Sequence, residues 1–318
     1  MTLNEIYKFI IAQGISKDPR ENLQIKKKLL LAKKEYRNLK GFERNFFDKE
    51  MLWNPYGDTR ILYGDSNIEV KRVLVGIDIG VDEILLADRL SSKEKKIDLV
   101  ISHHPLGVAL AGLYEVMDIH TAALSSLGID EKIAESLMKQ RIDQVTRSLH
   151  SANHQRVVDA ARCLNVPLMC CHTPADNHVA QYLQKVMDTK KPKTLKNVIN
   201  LLMKEPEYQC ASRYKAGPKI LTGESTDKAG KIILDMTGGT EGSGDIFARL
   251  SQVGVNTILG MHMSEKHLTK VKSEHLGVVI AGHIASDNLG LNLLFDKIMK
   301  KSKSIEFVEC SGFRRVRR

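Results

Sequence analysis

The sequence predicts an α/β protein with mostly parallel sheets. Short apolar runs, rich in Val, Ile and Leu, alternate with segments of helical spacing along the 318-residue chain. The alternation occurs in one series that begins near residue 70 and in a second that begins at Lys231. A strand that runs parallel to its predecessor needs a long crossover connection, usually a helix. We therefore expect sheets whose strands are joined by right-handed helical crossovers.

The first series contains apolar runs with the length of buried strands. They are Val73–Ile77, Leu99–Ile101 and Val166–Cys171. The helical segments between them are Val81–Leu90 and a long region from Leu113 to about Leu164. Gly128 and Asp130 divide the long region, because glycine weakens a helix and Asp130 can cap a new one. Further helices are expected at Asn177–Met187 and Leu195–Met203.

The second series repeats the pattern of strand and helix. Its predicted strands are Lys231–Met236, Asn256–Gly260 and Leu276–Ala281. Its predicted helices are Asp245–Val253, Ser264–Ser273 and Ile284–Lys301. Each strand again precedes a helix, as expected for parallel strands with helical crossovers.

The first fifty residues predict a helical extension outside the α/β pattern. Asp18 can cap a helix whose first position is Pro19, and leucines then follow helical spacing through a basic stretch up to Gly41. A loop rich in turn-forming residues follows, from Asn54 to Asp65.

The composition is that of a globular protein, with 42% hydrophobic and 27% charged residues. We find neither an apolar run near the roughly 20 residues of a membrane span nor the pattern of a signal peptide, so we expect a cytoplasmic protein without membrane contact. The five cysteines are odd in number and lack a Cys-x-x-Cys pair, which disfavours a disulfide framework or a thiolate zinc site.

The net charge of +10 predicts an anionic partner, such as a small phosphorylated molecule. Positive charge is concentrated at the two ends, in Lys26–Lys28, Lys33–Lys34 and Arg314–Arg318. A solvated helix face and a frayed tail explain these runs most simply. The alternative is a contact with nucleic acid or an acidic surface, which the low aromatic content of 5% disfavours.

Two adjacent histidines, His103 and His104, follow the predicted strand that ends at Ile101. Pro105 cannot continue a sheet ladder, so the strand should stop near this pair. Ligands in α/β folds bind at the carboxyl ends of strands. Taken alone, the pair is compatible with either a site or a solvated turn.

Two other predicted strands also release histidine and aspartate at their carboxyl ends. His172 and Asp176 follow the strand that ends at Cys171, and His283 and Asp287 follow the strand that ends at Ala281. The carboxyl ends of parallel strands lie on one edge of a sheet. His283 and Asp287 are also four residues apart, which places them on one face of the first turn of a helix.

This donor set predicts a metal site. Three of these four imidazoles, together with the two carboxylates, suit Zn²⁺, Mn²⁺ or Fe²⁺ better than Ca²⁺ or Mg²⁺. Five side chains are many for one catalytic ion, whereas a bridging carboxylate lets them hold two ions about 3.5–4 Å apart. Such ions lower the pKa of bound water toward about 7, which predicts a metal-bound water as the nucleophile.

A glycine-rich stretch, Gly238–Gly244, lies between a predicted strand and a predicted helix. Backbone N–H groups in such a loop can bind phosphate, but Glu241 and Asp245 would repel an anion. We favour a tight turn near the site over a nucleotide cradle. His262 follows the strand that ends at Gly260 and is a candidate neighbour of the site.

The chain resembles the Nif-three-like dinuclear metal-centre family, the type 2 GTP cyclohydrolase I homologues. The matching stretches, in family order, are Val73–Asp78, Asp98–Leu106, His172–Asp176 and Gly282–Asp287. The resemblance implies a fold of two related α/β lobes with mostly parallel or mixed sheets flanked by helices. It implies a ring-shaped homo-hexamer and a dinuclear centre. The implied metal ligands are His103, His104, Asp176, His283 and Asp287.

The resemblance also implies finer roles, and the chain departs from the family pattern at some positions. Asp176 would bridge the ions, and His172 would lie near the site without being a ligand. The last ligand is usually glutamate, and Asp287 is one methylene shorter. His178, after the altered stretch Pro174–Asn177, is an alternative ligand. The long gap between His104 and Asp176 predicts a helical insertion near 113–164.

These observations predict a domain organisation and a function. We expect a helical extension at 1–50, a first lobe at 51–176, a second lobe at 177–305 and a basic C-terminal tail at 306–318. The predicted function is a metal-dependent hydrolase with an anionic, phosphorylated or nucleotide-like substrate, and GTP cyclohydrolase activity is the family label. The alternative is a metal-stabilised oligomeric scaffold or regulatory binding protein without turnover.

Overall fold

Two β-sheets form the framework of the computed structural model, which describes residues 1–93 and 95–318. In the first sheet the strands are β1 (Ile61–Tyr63), β2 (Arg72–Gly76), β3 (Leu99–Ser102), β4 (Leu168–Cys170) and β9 (Glu306–Glu309). In the second they are β5 (Lys219–Thr222), β6 (Lys231–Asp235), β7 (Val255–Gly260) and β8 (Gly277–Ile280).

The two sheets repeat one arrangement of strands. The first has the order β1-β4-β3-β2-β9 and the second the order β5-β8-β7-β6. In each, an antiparallel edge strand is followed by three parallel strands in reverse sequence order, and the first sheet adds the parallel strand β9. This topology confirms the predicted α/β fold of two related lobes with parallel and mixed sheets.

Helices cover the sheets and connect the strands. In the N-terminal part and the first lobe they are α1 (Leu3–Ile15), α2 (Asn22–Asn38), α3 (Gly41–Asn45), α4 (Val81–Ser91), α5 (Gly107–Ala111), α6 (Asp118–Ser126), α7 (Glu131–His150), α8 (Arg156–Cys163) and α9 (Thr173–Lys190). In the remainder they are α10 (Leu195–Leu202), α11 (Pro206–Arg213), α12 (Ile246–Gln252), α13 (Glu265–Ser273) and α14 (His283–Lys301). Among the described residues, none of the helices combines the length and apolar character that a membrane-spanning segment requires.

Both faces of each sheet are buried, as the continuous apolar runs predicted. In β3, Leu99 and Ile101 enter one core while Val100 enters another. In β7, Ile258 and Leu259 likewise enter separate cores on opposite faces. Because each fully buried side chain of this kind contributes about 1.5–3 kcal/mol, the strands are held rigidly and so are the residues at their ends.

The N-terminal region is more deeply embedded than the sequence suggested. Helix α1 packs against the first sheet in a shared hydrophobic core, where Leu3, Ile6 and Ile10 are almost fully buried. The expected cap at Asp18 was wrong, because α2 begins at Asn22. The carboxylate of Asp18 instead accepts hydrogen bonds from the guanidinium of Arg20.

The C-terminal residues form ordered contacts instead of the expected frayed tail. Strand β9 pairs in parallel with β2. Arg315 forms an ion pair with Asp296, and Arg318 forms ion pairs with Glu205 and Glu207. Part of the positive charge at this end is therefore neutralised by carboxylates of the same chain.

Helices α9 and α14 pack closely against each other where the two lobes meet. A Cβ atom at Gly290 would lie 2.4 Å from the carbonyl oxygen of Ala175, so this approach requires glycine. Asp176 lies in the first turn of α9, and Asp287 lies one turn after His283, the first residue of α14. The close packing of these helices brings carboxylates from the two lobes together.

Candidate metal centre

The adjacent histidines leave β3 at the edge where the two lobes meet. Their backbone N–H groups donate hydrogen bonds to the chain that leaves β2, His103 to Gly76 and His104 to Ile77. The Ser102 hydroxyl donates to the carbonyl of His104 at 2.7 Å and further fixes the turn. His103 is buried, whereas the side chain of His104 is 26% exposed. Both imidazoles are therefore held by a rigid strand end, as predicted.

At each of the other two predicted strand ends, a histidine is followed four residues later by an aspartate. His172 lies directly before α9 and Asp176 lies in its first turn, while His283 begins α14 and Asp287 follows one turn later. Gly282 makes the second of these turns possible. It has a φ of +107°, and a Cβ atom there would lie 2.7 Å from the carbonyl oxygen of Ala216.

The structure brings these side chains together in two overlapping groups. One consists of His103, His172 and Asp176, and the other of His103, His104 and Asp287. Within each group, one ligand atom per residue lies within 4.8 Å of the others. His283 lies beside the second group. The buried His/Asp cluster is compatible with metal binding.

The distances within the cluster agree with the spacing of metal ligands. His103 Nε2 lies 3.4 Å from Asp176 Oδ1 and 3.4 Å from Asp287 Oδ1. His104 Nε2 and His283 Nε2 lie 3.6 Å and 3.7 Å from Asp287 Oδ2. His172 Nε2 lies 3.7 Å from Asp176 Oδ2. Two ligand atoms on one tetrahedral ion with bonds near 2.1 Å are about 3.4 Å apart.

Three of the histidines are oriented by hydrogen bonds on the side away from the cluster. The Nδ1–H groups of His103, His104 and His172 donate to the Cys171 carbonyl at 3.0 Å, the Asp78 carboxylate at 2.6 Å and the Asp58 carboxylate at 2.8 Å. Because these oxygens only accept, the proton of each neutral imidazole is on Nδ1. Each Nε2 lone pair then faces the cluster, as in metal-binding histidines.

Several buried polar atoms of the cluster have no hydrogen-bond partner among the described residues. They are His103 Nε2, Asp176 Oδ1 and both carboxylate oxygens of Asp287. Leaving a buried polar group unsatisfied costs about 1–3 kcal/mol, and more for a charged group. Bound divalent cations would satisfy these atoms, because each atom offers a lone pair to the same small volume. The donor set therefore fits a metal.

The cluster perturbs the ionisation of its members. Burial raises the pKa of Asp176 to about 6, even though nearby histidines oppose this. Burial alone would lower the pKa of His172, but the Asp176 and Asp58 carboxylates raise it to about 9. Burial raises the pKa of Asp287, but the neighbouring histidines lower it by more, so this pKa lies well below its usual range. The metal-free cluster thus holds protons that a bound cation would displace.

His178, the alternative ligand suggested by the sequence, lies outside the cluster. Its Nδ1–H group donates to the carbonyl of Pro174 at 2.6 Å, and its Nε2 accepts a hydrogen bond from Lys297 Nζ at 2.9 Å. Both ring nitrogens are therefore engaged elsewhere. The physical reason is helical geometry, because residues two apart on α9 point in different directions.

We expect His178→Gln to reduce the acid sensitivity of the metal-free protein. Burial, helped by Lys297 and Lys17, lowers the pKa of His178 to about 4. The unfolded chain protonates His178 near pH 6.5, so this residue's contribution to stability is present above that pH and is lost as the pH falls toward 4. Urea unfolding in chelator should show that wild type loses about 2 kcal/mol more than the variant between pH 7 and pH 4.5. Parallel losses would contradict this assignment.

The glycine-rich stretch forms a turn beside the cluster. Gly238 and Gly239 have positive φ values of 107° and 84°. The Glu241 carboxylate accepts a hydrogen bond from the backbone N–H of Ser264 and lies 3.4 Å from His262 Nδ1. The His262 ring packs edge-on against His283, with 4.8 Å between ring centroids. His262 is thus a neighbour of the cluster, as the sequence suggested.

The sequence contains a spacing pattern that identifies His172 as a candidate metal ligand. His172 and Asp176 have the same four-residue spacing as His283 and Asp287. Both pairs follow equivalent strands, β4 and β8, of lobes with the same strand order. The repeated spacing indicates that the two lobes contribute corresponding donors.

The chain is similar to several solved structures, some of which are named for NIF3. A NIF3 superfamily protein from Sphaerobacter thermophilus has 26% identity and a TM-score of 0.70, and the match covers 81% of this chain and 92% of that chain. HcgD from Methanocaldococcus jannaschii has 15% identity and a TM-score of 0.49, covering 87% and 96%. A Bacillus cereus protein related to NIF3 has 11% identity and a TM-score of 0.41, covering 80% and 90%.

Neither a protein-family model nor a curated protein sequence matches the chain. The likeness to the Sphaerobacter protein spans nearly all of that chain and combines sequence identity with a common fold. The chain is therefore similar, in fold and in sequence, to a protein of the NIF3 superfamily.

Proposed function

We propose that the protein is a dinuclear metal-dependent hydrolase that acts on a phosphorylated or nucleotide-like substrate. The observation that carries the proposal is the set of unpartnered ligand atoms that face one another in the buried cluster. Buried polar atoms are almost always hydrogen-bonded, so such a concentration is unusual for a purely structural core. It occurs at the carboxyl ends of strands, where α/β folds bind ligands.

In this proposal two ions of Zn²⁺, Mn²⁺ or Fe²⁺ are held by residues of both lobes. His103, His172 and Asp176 would hold one ion, and His104, His283 and Asp287 the other. Asp287 would be better placed than Asp176 to contribute to both ions. One of its oxygens faces His103 and the other faces His104 and His283, whereas the oxygens of Asp176 face His103 and His172. The shorter aspartate therefore still reaches both groups.

Divalent ions bound there would polarise a substrate oxygen and lower the pKa of water toward about 7. The chain's own residues prepare the site for this chemistry. Asp58 and Asp78 hold the imidazoles of His172 and His104 in fixed tautomers. Burial of Asp176 and Asp287 excludes solvent, which strengthens electrostatic interactions with a substrate.

The shape of the site supports a small reacting group. A pocket of about 50 Å³ opens onto the cluster and is lined by His172, Asp176, His283 and Asp287 together with the glycine-rich turn. Its volume suits a single phosphoryl-sized group rather than a whole nucleotide. The chain's net charge of +10 favours an anionic substrate.

Turnover assays with an Asp176→Asn variant test the proposal. Metal-loaded wild type, supplied with Mn²⁺ or Zn²⁺, should consume p-nitrophenyl phosphate, bis(p-nitrophenyl) phosphate or GTP. Asp176→Asn removes a ligand charge without changing side-chain size, and we expect it to lower the rate by at least about 100-fold. The control Asp88→Asn makes the same substitution on the exposed face of α4, away from the cluster, and should retain the wild-type rate.

Two results would contradict the hydrolase proposal. One is that wild type with either metal consumes none of these substrates, and the other is that Asp176→Asn is as active as wild type. If, in addition, His104→Ala only disperses an oligomer, the metal-stabilised scaffold is favoured. The family resemblance also supports a homo-hexamer, and sedimentation equilibrium of the metal-loaded protein would give its stoichiometry.

A further inference from the structure

A second and larger cavity adjoins the candidate metal centre. It is a cleft of about 430 Å³ between strand β6 and helices α6, α9 and α12. Its lining is mainly apolar and includes Ile119, Leu124, Ile233, Phe247 and Leu250, together with charged residues that include Lys17, Asp18, Asp188 and Lys231. Ligand pockets usually have volumes of about 300–1,000 Å³ and apolar walls with a few polar groups. The cleft has both properties.

The cleft and the small pocket at the cluster share residues. Asp235 and Thr237 line both of them, at the point where the chain leaves β6. At the same junction, the imidazole of His120, another lining residue of the cleft, donates a hydrogen bond through Nε2–H to the carbonyl of Thr240 at 2.8 Å. The small pocket and the cleft are therefore immediate neighbours.

Strand β6 offers backbone groups to a molecule in the cleft. It is the outer strand of its sheet, with β7 as its neighbour on one side. The side-chain amide of Gln184 donates to the carbonyl of Ile232 at 3.3 Å, so Ile232 faces outward. Alternate residues of a strand direct their backbone groups to the same side. Leu234 therefore presents its N–H and C=O groups toward the cleft.

We propose that the cleft binds a flat, largely apolar ring of the substrate, while the substrate's anionic group lies at the metal cluster. This inference rests on the proposed function. The apolar walls suit a ring. The backbone N–H and C=O groups of Leu234 can form hydrogen bonds with acceptors and donors on the edge of that ring. The Asp235 carboxylate at the junction disfavours a second anionic group there and favours a linker with hydroxyl or amino donors. The substrate class is thus a ring-bearing phosphoester.

An added peptide strand is a poorer occupant of this cleft. Such a strand would need a run of free backbone groups along the edge of β6. Gln184 already occupies the carbonyl of Ile232, and helix α9 covers that end of the strand. The open part of the edge is short, which fits a ring better than an extended chain.

Calorimetric titration of the metal-loaded protein with two phosphonates tests the inference. Methylphosphonate has the anionic group alone, and (indol-3-yl)methylphosphonate adds a flat ring with one N–H donor. Burial of an aromatic group of this size should make the indolyl compound bind roughly 10- to 100-fold more tightly to wild type. Equal affinities would overturn the inference and leave the metal-centre proposal intact. Failure of both compounds to bind would overturn both proposals.

Two neighbouring alanines on α6 provide a matched pair of variants. Ala123 lines the cleft, whereas Ala122 lines a different groove on the other side of the helix. Ala123→Trp should fill the cleft and reduce the preference for the indolyl compound to less than about twofold, while Ala122→Trp should preserve it. Ala180→Trp, on the α9 wall, repeats the test if Ala123→Trp does not fold. Preservation of the preference in the cleft variant would overturn the inference.

Discussion

Replacing Asp287 by asparagine should weaken metal binding more than any other single change in the cluster. Its two carboxylate oxygens are buried and face the imidazoles of His103, His104 and His283. Asparagine keeps the size but removes the charge and turns an N–H₂ group toward these imidazoles. Loss of residues that only orient metal ligands already costs about 10–100-fold in affinity, so we expect a loss of more than about 100-fold here.

Elemental analysis after dialysis measures this effect directly. Asp287→Asn should retain less than one ion per chain, and circular dichroism should show a folded protein. Asp88→Asn, the same substitution on the exposed face of α4, should retain the wild-type metal content. Wild-type metal content in Asp287→Asn would rule out Asp287 as the residue that links the two groups.

Replacing His172 by glutamine should release one ion and leave the other. Its Nε2 faces Asp176, and Asp58 fixes its Nδ1 proton, so it completes the group of His103 and Asp176. His178→Gln is the matched control, because it changes a buried histidine of the same segment whose Nε2 accepts a hydrogen bond from Lys297. We expect about one ion per chain in His172→Gln and about two in His178→Gln.

The contrast between these variants separates two interpretations of His172. If His172→Gln retains both ions, His172 is a neighbour of the site, as the family resemblance implied. If His178→Gln loses metal while His172→Gln does not, the placement of the two histidines relative to the ions is wrong. Titration with Mn²⁺ followed by electron paramagnetic resonance would also show whether the remaining ions are coupled as a pair.

The strands that could be predicted are those whose burial is evident from their own residues. Strands β2, β3, β7 and β8 are short apolar runs in which both faces are covered, so their pattern is visible without knowledge of the partner. The residues at their ends, such as His103 and His283, could be placed for the same reason. The parallel arrangement then explains why distant parts of the sequence meet at one edge.

The parts that were missed depend on distant partners. Strands β1, β5 and β9 are three or four residues long and only partly buried, so they lack a distinct apolar run. Strand β9 becomes a strand because it pairs with β2, more than two hundred residues earlier. The burial of α1 likewise depends on its packing against the first sheet. Such elements form because of tertiary contacts, which the local sequence pattern does not show.

Within the candidate site, the sequence predicted which residues meet but not how each one points. Asp176 and His178 are two residues apart on one helix, yet one faces the cluster and the other accepts a hydrogen bond from Lys297. The orienting roles of Asp58 and Asp78 also follow only from the folded structure, because they approach their histidines from other segments.

The proposed function requires the buried histidines and aspartates to hold two metal ions. The most direct measurement is the number of transition-metal ions per chain, by elemental analysis of protein purified without chelator and then supplied with Mn²⁺ or Zn²⁺. We expect about two ions per chain. A folded protein that takes up neither metal would contradict the proposed metal centre.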